Sequence, residues 1–389
     1  GNPYIDEIIV FEKKKFKSLA GFWENFGPFR EKLNQHKYDA VLDLQGLFKS
    51  AAIAWCSKAP VKLGTCNMRE LSDKISHPVV GPNAQGHIVE RYLDVARALG
   101  CGVDKVEFPI NITPEDGKMA RSYLYAAGCK GDVPYVVLAV GANWPNKRWP
   151  VAYYAKLSDW LSEQGYLPVI IGGGALDEQL VEDISRAAEF PPVNMVGKTT
   201  LRQLAYVIKE AKATVGGDTG PVHLSAGLGT PTIMVMGPTD ANRNGPYGQL
   251  ENAIEVPRSC KYCWKRACPK GFDCLDRITP AMVEEKLKLE NLIKVANDEK
   301  LSMDERRKAV EALNKIVPHY NATIDQTTRK FKASDKALKA YINSLVRLYE
   351  VQGAKKQIQE LAEKRAGLTI KLDKAKSRLA DANNARGFQ

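Results

Sequence analysis

Eight consecutive residues, Gly216-Gly217-Asp218-Thr219-Gly220-Pro221-Val222-His223, hold the sharpest chemical signal in the sequence. They read as the end of a strand, a glycine-rich turn and the start of a helix. Pro221 falls in the first helical turn, where a missing N–H is harmless. The first N–H groups of a helix lack partners within it, and the aligned peptide dipoles add partial positive charge there. A diphosphate suits such a place. The carboxyl end of a strand is also where open α/β sheets bind ligands. Asp218 and Thr219 can cap the helix or touch that ligand. The same run reads equally as a plain strand-to-helix turn with an Asp/Thr cap, and His223 as a packed helix histidine.

A second run, Gly141-Ala142-Asn143-Trp144-Pro145-Asn146-Lys147-Arg148-Trp149-Pro150, also follows an apolar strand and precedes a helix. It brings two cations and two indoles to the same edge of the sheet. Lys147 as a point charge would suit phosphate oxygens. For Arg148 and Trp149 the preferred reading is structural, a solvated loop and an indole packed under the next helix. Cys260, Cys263, Cys268 and Cys274 form C-x2-C-x4-C-x5-C. Four thiolates suit zinc, but the second pair lacks C-x2-C spacing. Reduced structural cysteines are therefore expected, and no metal. No Asp-x-Asp, a common divalent-cation motif, occurs anywhere.

Six segments in order resemble glycosyltransferase family 9, the ADP-heptose:lipopolysaccharide heptosyltransferases. They are Tyr38-Asp39 with Asp43-Leu44-Gln45-Gly46-Leu47; His87 with Glu90-Arg91-Tyr92-Leu93; Lys147-Arg148-Trp149-Pro150; Gly197-Lys198-Thr199-Thr200-Leu201; Gly217-Asp218-Thr219-Gly220-Pro221 with His223; and Gly237-Pro238-Thr239-Asp240. The likeness spans residues 2–289. It implies a GT-B fold of two Rossmann-like domains facing a cleft, one receiving the lipopolysaccharide core and the other holding ADP-heptose. It also implies that Lys147, Asp218, Thr219, Gly220 and His223 line the donor, with Lys198 and Thr199 nearby. Asn143, Trp144, Thr239 and Asp240 are further candidates at the same edge. The cysteine segment 260–269 resembles a common family segment with no required metal. The family's general-base Asp lies in a Gly-Asp pair of the first strand-to-helix turn. The only Gly-Asp pairs here are Gly131-Asp132 and Gly217-Asp218, and the chain reads as opening after that turn. The catalytic residue is thus left unassigned, with weakened transfer as the expectation.

The elements that must position these residues are clearest between 134 and 237. Apolar runs at 135–140, 167–171, 193–196, 214–215 and 232–236 read as strands. Between them, 150–164, 175–189, 201–211 and 221–228 read as helices, giving a parallel sheet covered on both faces. Earlier, 5–11 and 39–44 read as strands, and 22–34 and 87–99 as helices. Composition divides the chain near residue 290. All six Trp and all eight Cys precede position 275, and Pro318 is the only proline after Glu290. Residues 291–389 hold 21 Lys/Arg against 12 Asp/Glu, the remainder 35 against 33. The basic balance is thus a property of the tail and no argument for nucleic-acid binding.

The expected organisation is an incomplete N-terminal acceptor domain (1–130), a donor-binding domain (131–290) and an all-α helical or coiled-coil extension (291–389). In the extension, Ser302-Met303-Asp304-Glu305 reads as a capping box. Leu338, Tyr341, Leu345 and Leu348 suggest a heptad seam, resumed after Gly353 at Ile358, Leu361, Leu368, Leu372, Ala375 and Leu379. Segments 301–320 and 336–350 weakly resemble helical parts of phage tail tape-measure proteins, and the tail could self-associate. No run reaches the roughly 18 apolar residues of a membrane span. Residues 1–7 do not read as a signal peptide, and eight Cys in this length fit reduced thiols. The expectation is a cytoplasmic, metal-independent, inverting transferase without cofactor. It would contact the inner membrane peripherally, with ADP-heptose and the lipopolysaccharide core as partners. The alternatives are a GT-B-fold sugar-nucleotide epimerase and a phage tail structural protein defined by the tail.

Overall fold

The computed structural model describes residues 2–131, 133–255, 262–268 and 274–325, with single positions and short runs between 328 and 348. It divides into two compact units, Gly1–Leu275 and Asp276–Gln389.

The first unit begins with α1 (Leu19–Leu33), β1 (Ala40–Asp43), α2 (Phe48–Cys56), β2 (Val61–Gly64), β3 (His77–Pro78) and α3 (Ile88–Arg97). The three strands pair in parallel in the order β1-β2-β3. Ser18 caps α1 and His87 caps α3, each through a side-chain acceptor facing a backbone N–H. The stretch 5–11, expected as a strand, forms none. It takes no regular secondary structure, and Ile5, Ile8 and Val10 are exposed, so its apolar residues cover no sheet face. What anchors this stretch is Phe11, whose ring packs against Phe16 and Phe29 at centroid distances of 4.5 and 5.1 Å.

After α4 (Pro114–Ala126) the chain enters a second sheet. Its elements are β4 (Tyr135–Ala139), α5 (Val151–Glu163), β5 (Leu167–Ile171), α6 (Ala175–Ala187), β6 (Val193–Asn194), α7 (Leu201–Glu210), β7 (Ala213–Gly217), α8 (Gly220–Gly227), β8 (Thr232–Met236), α9 (Ala241–Asn244) and β9 (Ala253–Glu255). The boundaries expected from apolar runs agree within a few residues. Every residue of β4, β7 and β8 is buried, as continuous apolar strands covered on both faces must be. All strand pairs are parallel, in the order β6-β5-β4-β7-β8-β9. The chain starts in the middle with β4, winds outward to β6, then crosses back to β7 and winds the other way. The crevice outside the carboxyl ends of β4 and β7 is therefore the switch point where such sheets bind ligands.

The second unit contains α10 (Pro280–Asn297), α11 (Met303–Ile316) and a short antiparallel pair, β10 (Thr323–Ile324) with β11 (Phe331–Lys332). The expected capping box is present, Ser302 and Glu305 bonding reciprocally. Among its described residues the extension is thus helical with a small β pair added. Polar Asn and Asp at 321 and 325 break the helical pattern around that pair. Helix α10 runs unbroken through residue 290, so the change in composition there falls inside a helix. Leu338 joins the core of this unit with Leu289, Leu313 and Tyr320, and Tyr341 packs against it. The heptad position Leu345 and the repeat after Gly353 lie outside the described residues. No helix among the described residues is long and apolar enough to cross a membrane.

The double-wound sheet is the core of the first unit, and this can be tested at Leu138, wholly buried in the middle of β4. Leu138→Ala should destabilise the protein by about 2–5 kcal/mol, read as a lowered urea midpoint. A loss below about 1 kcal/mol would mean that the sheet packs more loosely than its burial indicates.

Candidate functional site

Two loops meet at the switch point. One leaves β4 and carries Lys147; the other leaves β7 and carries Asp218. Gly217 makes the meeting possible, because a Cβ there would stand 2.1 Å from the Lys147 carbonyl oxygen. Only a residue without a side chain lets the two backbones approach this closely.

Asp218 is 8% exposed, and both of its carboxylate oxygens are engaged. Lys147 Nζ donates to Oδ2 at 2.6 Å, and the buried Thr239 hydroxyl donates to the same oxygen at 2.8 Å. His223 Nε2 lies 2.9 Å from Oδ1. A carboxylate accepts only, so Nε2 carries the proton in this bond. Burial alone would raise the Asp218 pKa. The hydrogen bonds from His223 and Lys147, the Lys147 charge and the Thr239 hydroxyl outweigh it, and the value falls to about 2. Asp218 is thereby an anchor for three side chains, from the loops after β4 and β8 and from helix α8. Lys147 Nζ also lies 4.7 Å from the Trp144 ring centroid, a cation–π contact that fixes it from the other side. Thr219 occupies the N-cap position of α8 but its side chain makes no capping bond.

Of these groups, Trp144, Lys147 and Thr239 line a cleft of about 680 Å³ between the two sheets of the first unit. The first sheet and α3 contribute Gln45, Asn67, Arg69, Arg91 and Tyr92 to it; the second contributes Trp144, Lys147, Thr239, Arg243 and Trp264. Arg243 lies 4.9 Å over the Trp264 ring. Burial lowers the Arg243 pKa, and the nearby Arg91 and Arg69 lower it further. Four cations and no carboxylate are among the described residues that line the cleft. The donor-side pair, Lys147 and Arg243, can hold a diphosphate and stabilise negative charge on a leaving group.

The structure therefore brings together Lys147, Trp144, Asp218, His223 and Thr239, with Thr219 and Gly220 at the adjoining helix start. Other expected residues stand elsewhere. Lys198 follows β6, two strands away, and its ammonium donates to the Asn194 carbonyl at 2.6 Å. Thr199 adjoins it there. Asp240 caps α9, accepting from Asn242 N–H at 2.9 Å. Asn143 accepts from Arg266 at 3.1 Å. Of the four cysteines, Cys260 lies outside the described residues, Cys263 and Cys268 are half-buried, and Cys274 is buried. Sequence reasoning missed Arg69, Arg243 and Trp264. Arg243 could have been found by asking which cations follow the carboxyl end of β8. Trp264 was hidden by the metal reading of the cysteines around it, and Arg69 had no local signal.

Two Rossmann-like halves facing a cationic cleft define a GT-B architecture. Residues 27–272 match the family description "Glycosyltransferase family 9 (heptosyltransferase)". The chain is 30% identical over 290 residues to lipopolysaccharide heptosyltransferase 1 of Pseudomonas aeruginosa, covering 69% of this chain and 77% of that one. It is 31% identical over 233 residues to the enzyme of the same name from Escherichia coli K12, covering 59% and 70%. Among solved structures, E. coli heptosyltransferase WaaC with ADP aligns with a TM-score of 0.55 at 26% identity, covering 74% of this chain and 85% of that one. A family 9 glycosyltransferase from Veillonella parvula has the same fold, with a TM-score of 0.63 over 75% of this chain and 84% of its own. The chain belongs to glycosyltransferase family 9 and is a glycosyltransferase.

The Asp218 anchor has a pH signature. Its pKa is depressed in the folded protein, so its contribution is complete above the unfolded value near 4 and is lost as pH falls towards about 2. The loss across this window should be on the order of 2 kcal/mol. Urea unfolding of the native chain and of Asp218→Asn, compared at pH 5 and pH 2.5, checks this. The native chain should lose its advantage at the lower pH. An equal gap at both values would mean that the carboxylate is not held ionised by its partners.

Proposed function

We propose that the chain transfers heptose from ADP-heptose to the lipopolysaccharide inner core. In this reading the reaction is inverting and metal-independent, and takes place at the cytoplasmic face of the inner membrane, which the protein contacts peripherally. The observation that carries it is the Asp218-anchored Lys147 beside the α8 start, at the switch point of a family 9 fold. The relatives' printed names, heptosyltransferases of lipopolysaccharide, support donor and acceptor class. As the sugar leaves, negative charge builds on the diphosphate. Lys147, Arg243 and the α8 amides supply positive charge where a divalent cation would otherwise act. The acceptor hydroxyl attacks the anomeric carbon from the opposite face and gives up its proton to a general base.

Asp43 is the first carboxylate to consider as that base. It is 4% exposed, and its Oδ1 accepts from the Gln45 and Gly46 N–H groups at 3.2 and 2.9 Å. We assign it to holding the turn after β1. Asp43→Asn should therefore leave the transfer rate within about threefold, whereas loss of a general base costs about 10²–10⁴-fold. A fall of that larger size would make Asp43 the base.

ADP should raise the melting temperature through its preference for the folded state. Lys147→Ala should weaken ADP binding by about 1.5–3 kcal/mol, the worth of a charge-assisted contact. Isothermal titration of both proteins, with and without EDTA, tests the site and the metal independence together. Native affinity in the Lys147 variant would remove that residue from the site. An affinity lost in EDTA and restored by magnesium or manganese would overturn the metal-free reading.

A further inference from the structure

The segment His87 to Leu93 is shared with the family, yet neither His87 nor Glu90 lines the cleft. Both face the other half of the unit. The His87 ring is 8% exposed and each of its nitrogens has a partner. Nδ1 accepts from Val89 N–H at 3.2 Å, capping α3, and Nε2 faces the Gly245 carbonyl oxygen at 3.0 Å. Only the neutral ring with its proton on Nε2 satisfies both bonds, since a protonated Nδ1 cannot accept. One turn along, Glu90 Oε1 accepts from the Tyr247 hydroxyl at 2.6 Å, and Oε2 is held by Arg97 at 3.1 Å. The Tyr247 ring stands 5.0 Å from His87 and 5.6 Å from Phe108. The first turn of α3 is thus fastened twice to the Gly245–Tyr247 stretch of the donor-side half. Between and beside these fastenings lie the residues that enter the cleft, Arg91 and Tyr92 from α3, and Arg243 and Asn244 just ahead of Gly245.

We infer that His87 and Glu90 are positioning residues, a two-point latch that joins the halves and sets Arg91 and Tyr92 against Arg243 across the cleft. The inference rests on the proposed transferase reading of that cleft. ADP contacts assigned above lie on one half alone. The acceptor and the transition state need both halves in register, and misplacing one reactant forfeits orientation. The latch is also sensitive to protons. Burial lowers the His87 pKa; the Gly245 bond raises it, His223 lowers it, Glu90 raises it and Arg243 lowers it. These, with Tyr247, are the groups that face the ring from α3, α8, α9 and the following turn. As pH falls below the ordinary histidine value near 6.5, an opened latch gains a proton that the closed one resists, so closure weakens.

Two variants test this. His87→Asn keeps a good helix cap but is too short to reach Gly245. Tyr247→Phe removes one hydroxyl and nothing else. In each, hydrogen exchange of the amides in 88–92 and of Gly245 and Tyr247 should quicken at least tenfold at pH 7.5, ADP affinity should stay within twofold, and transfer should fall at least fivefold. In the native chain the same amides, corrected for intrinsic exchange, should lose protection between pH 7.5 and 5.5, and in His87→Asn this dependence should flatten. Unchanged exchange in both variants would overturn the latch. So would a loss of ADP affinity as large as the loss of rate, since the donor site itself would then have collapsed. If His87→Asn does not fold, Tyr247→Phe decides alone. Absence of ADP binding in the native chain would instead defeat the functional reading, while the exchange data still report on the latch.

Discussion

A single buried carboxylate organises the donor side of this protein. Asp218 has surrendered its hydration, and only donors on both oxygens make that tolerable. Lys147 comes from the loop after β4, His223 from α8 and Thr239 from the loop after β8. The two loops and the helix follow the adjacent strands β4, β8 and β7 at one edge of the sheet, and the carboxylate ties them into one surface. Lys147 is thus held where it stands by its partner's charge and the indole below it, so its position is fixed before any ligand arrives. Such preorganisation is what lets fixed charges act on a developing anion without reorganising.

The strand order explains why those loops are neighbours. With β4 and β7 side by side, and the chain winding away from them in opposite directions, no crossover helix covers the crevice between their carboxyl ends. The first half, with its three parallel strands, supplies the facing wall. Its cations, Arg69 and Arg91, lie on loops and on α3. The positive character of the cleft is therefore shared between two separately built halves.

Much of the second sheet was legible in the sequence because parallel strands buried on both faces are written as unbroken apolar runs. Val136 to Ala139 and Ile233 to Met236 are such runs, and glycine or proline marks their ends. The stretch 5–11 has the same apolar character without the partners. Hydropathy cannot distinguish a strand from a segment that joins no sheet. Within the site, Lys147, Asp218 and His223 were legible because each belongs to a motif at the end of a strand. Lys198 has the same local appearance, and only the strand order reveals that β6 lies two positions from β4. That Asp218 also ties Lys147, His223 and Thr239 together was not legible, because sequence shows a carboxylate's presence and not its partners. Arg243 was legible only as a cation following the carboxyl end of β8, and its meeting with Trp264 is a tertiary contact that no local run reports.

Gly217 sets a limit on how this site can change. Its backbone lies so close to the Lys147 carbonyl that the two loops share one surface with no side chain between them. Neither loop can be lengthened, re-angled or transplanted from a relative alone without striking the other. Variation in sugar preference must therefore either come from residues on the outer side of the cleft or move both loops as one inherited block. A chimera that exchanges residues 141–150 and 216–223 together respects this joint, and one that exchanges a single loop cuts through it.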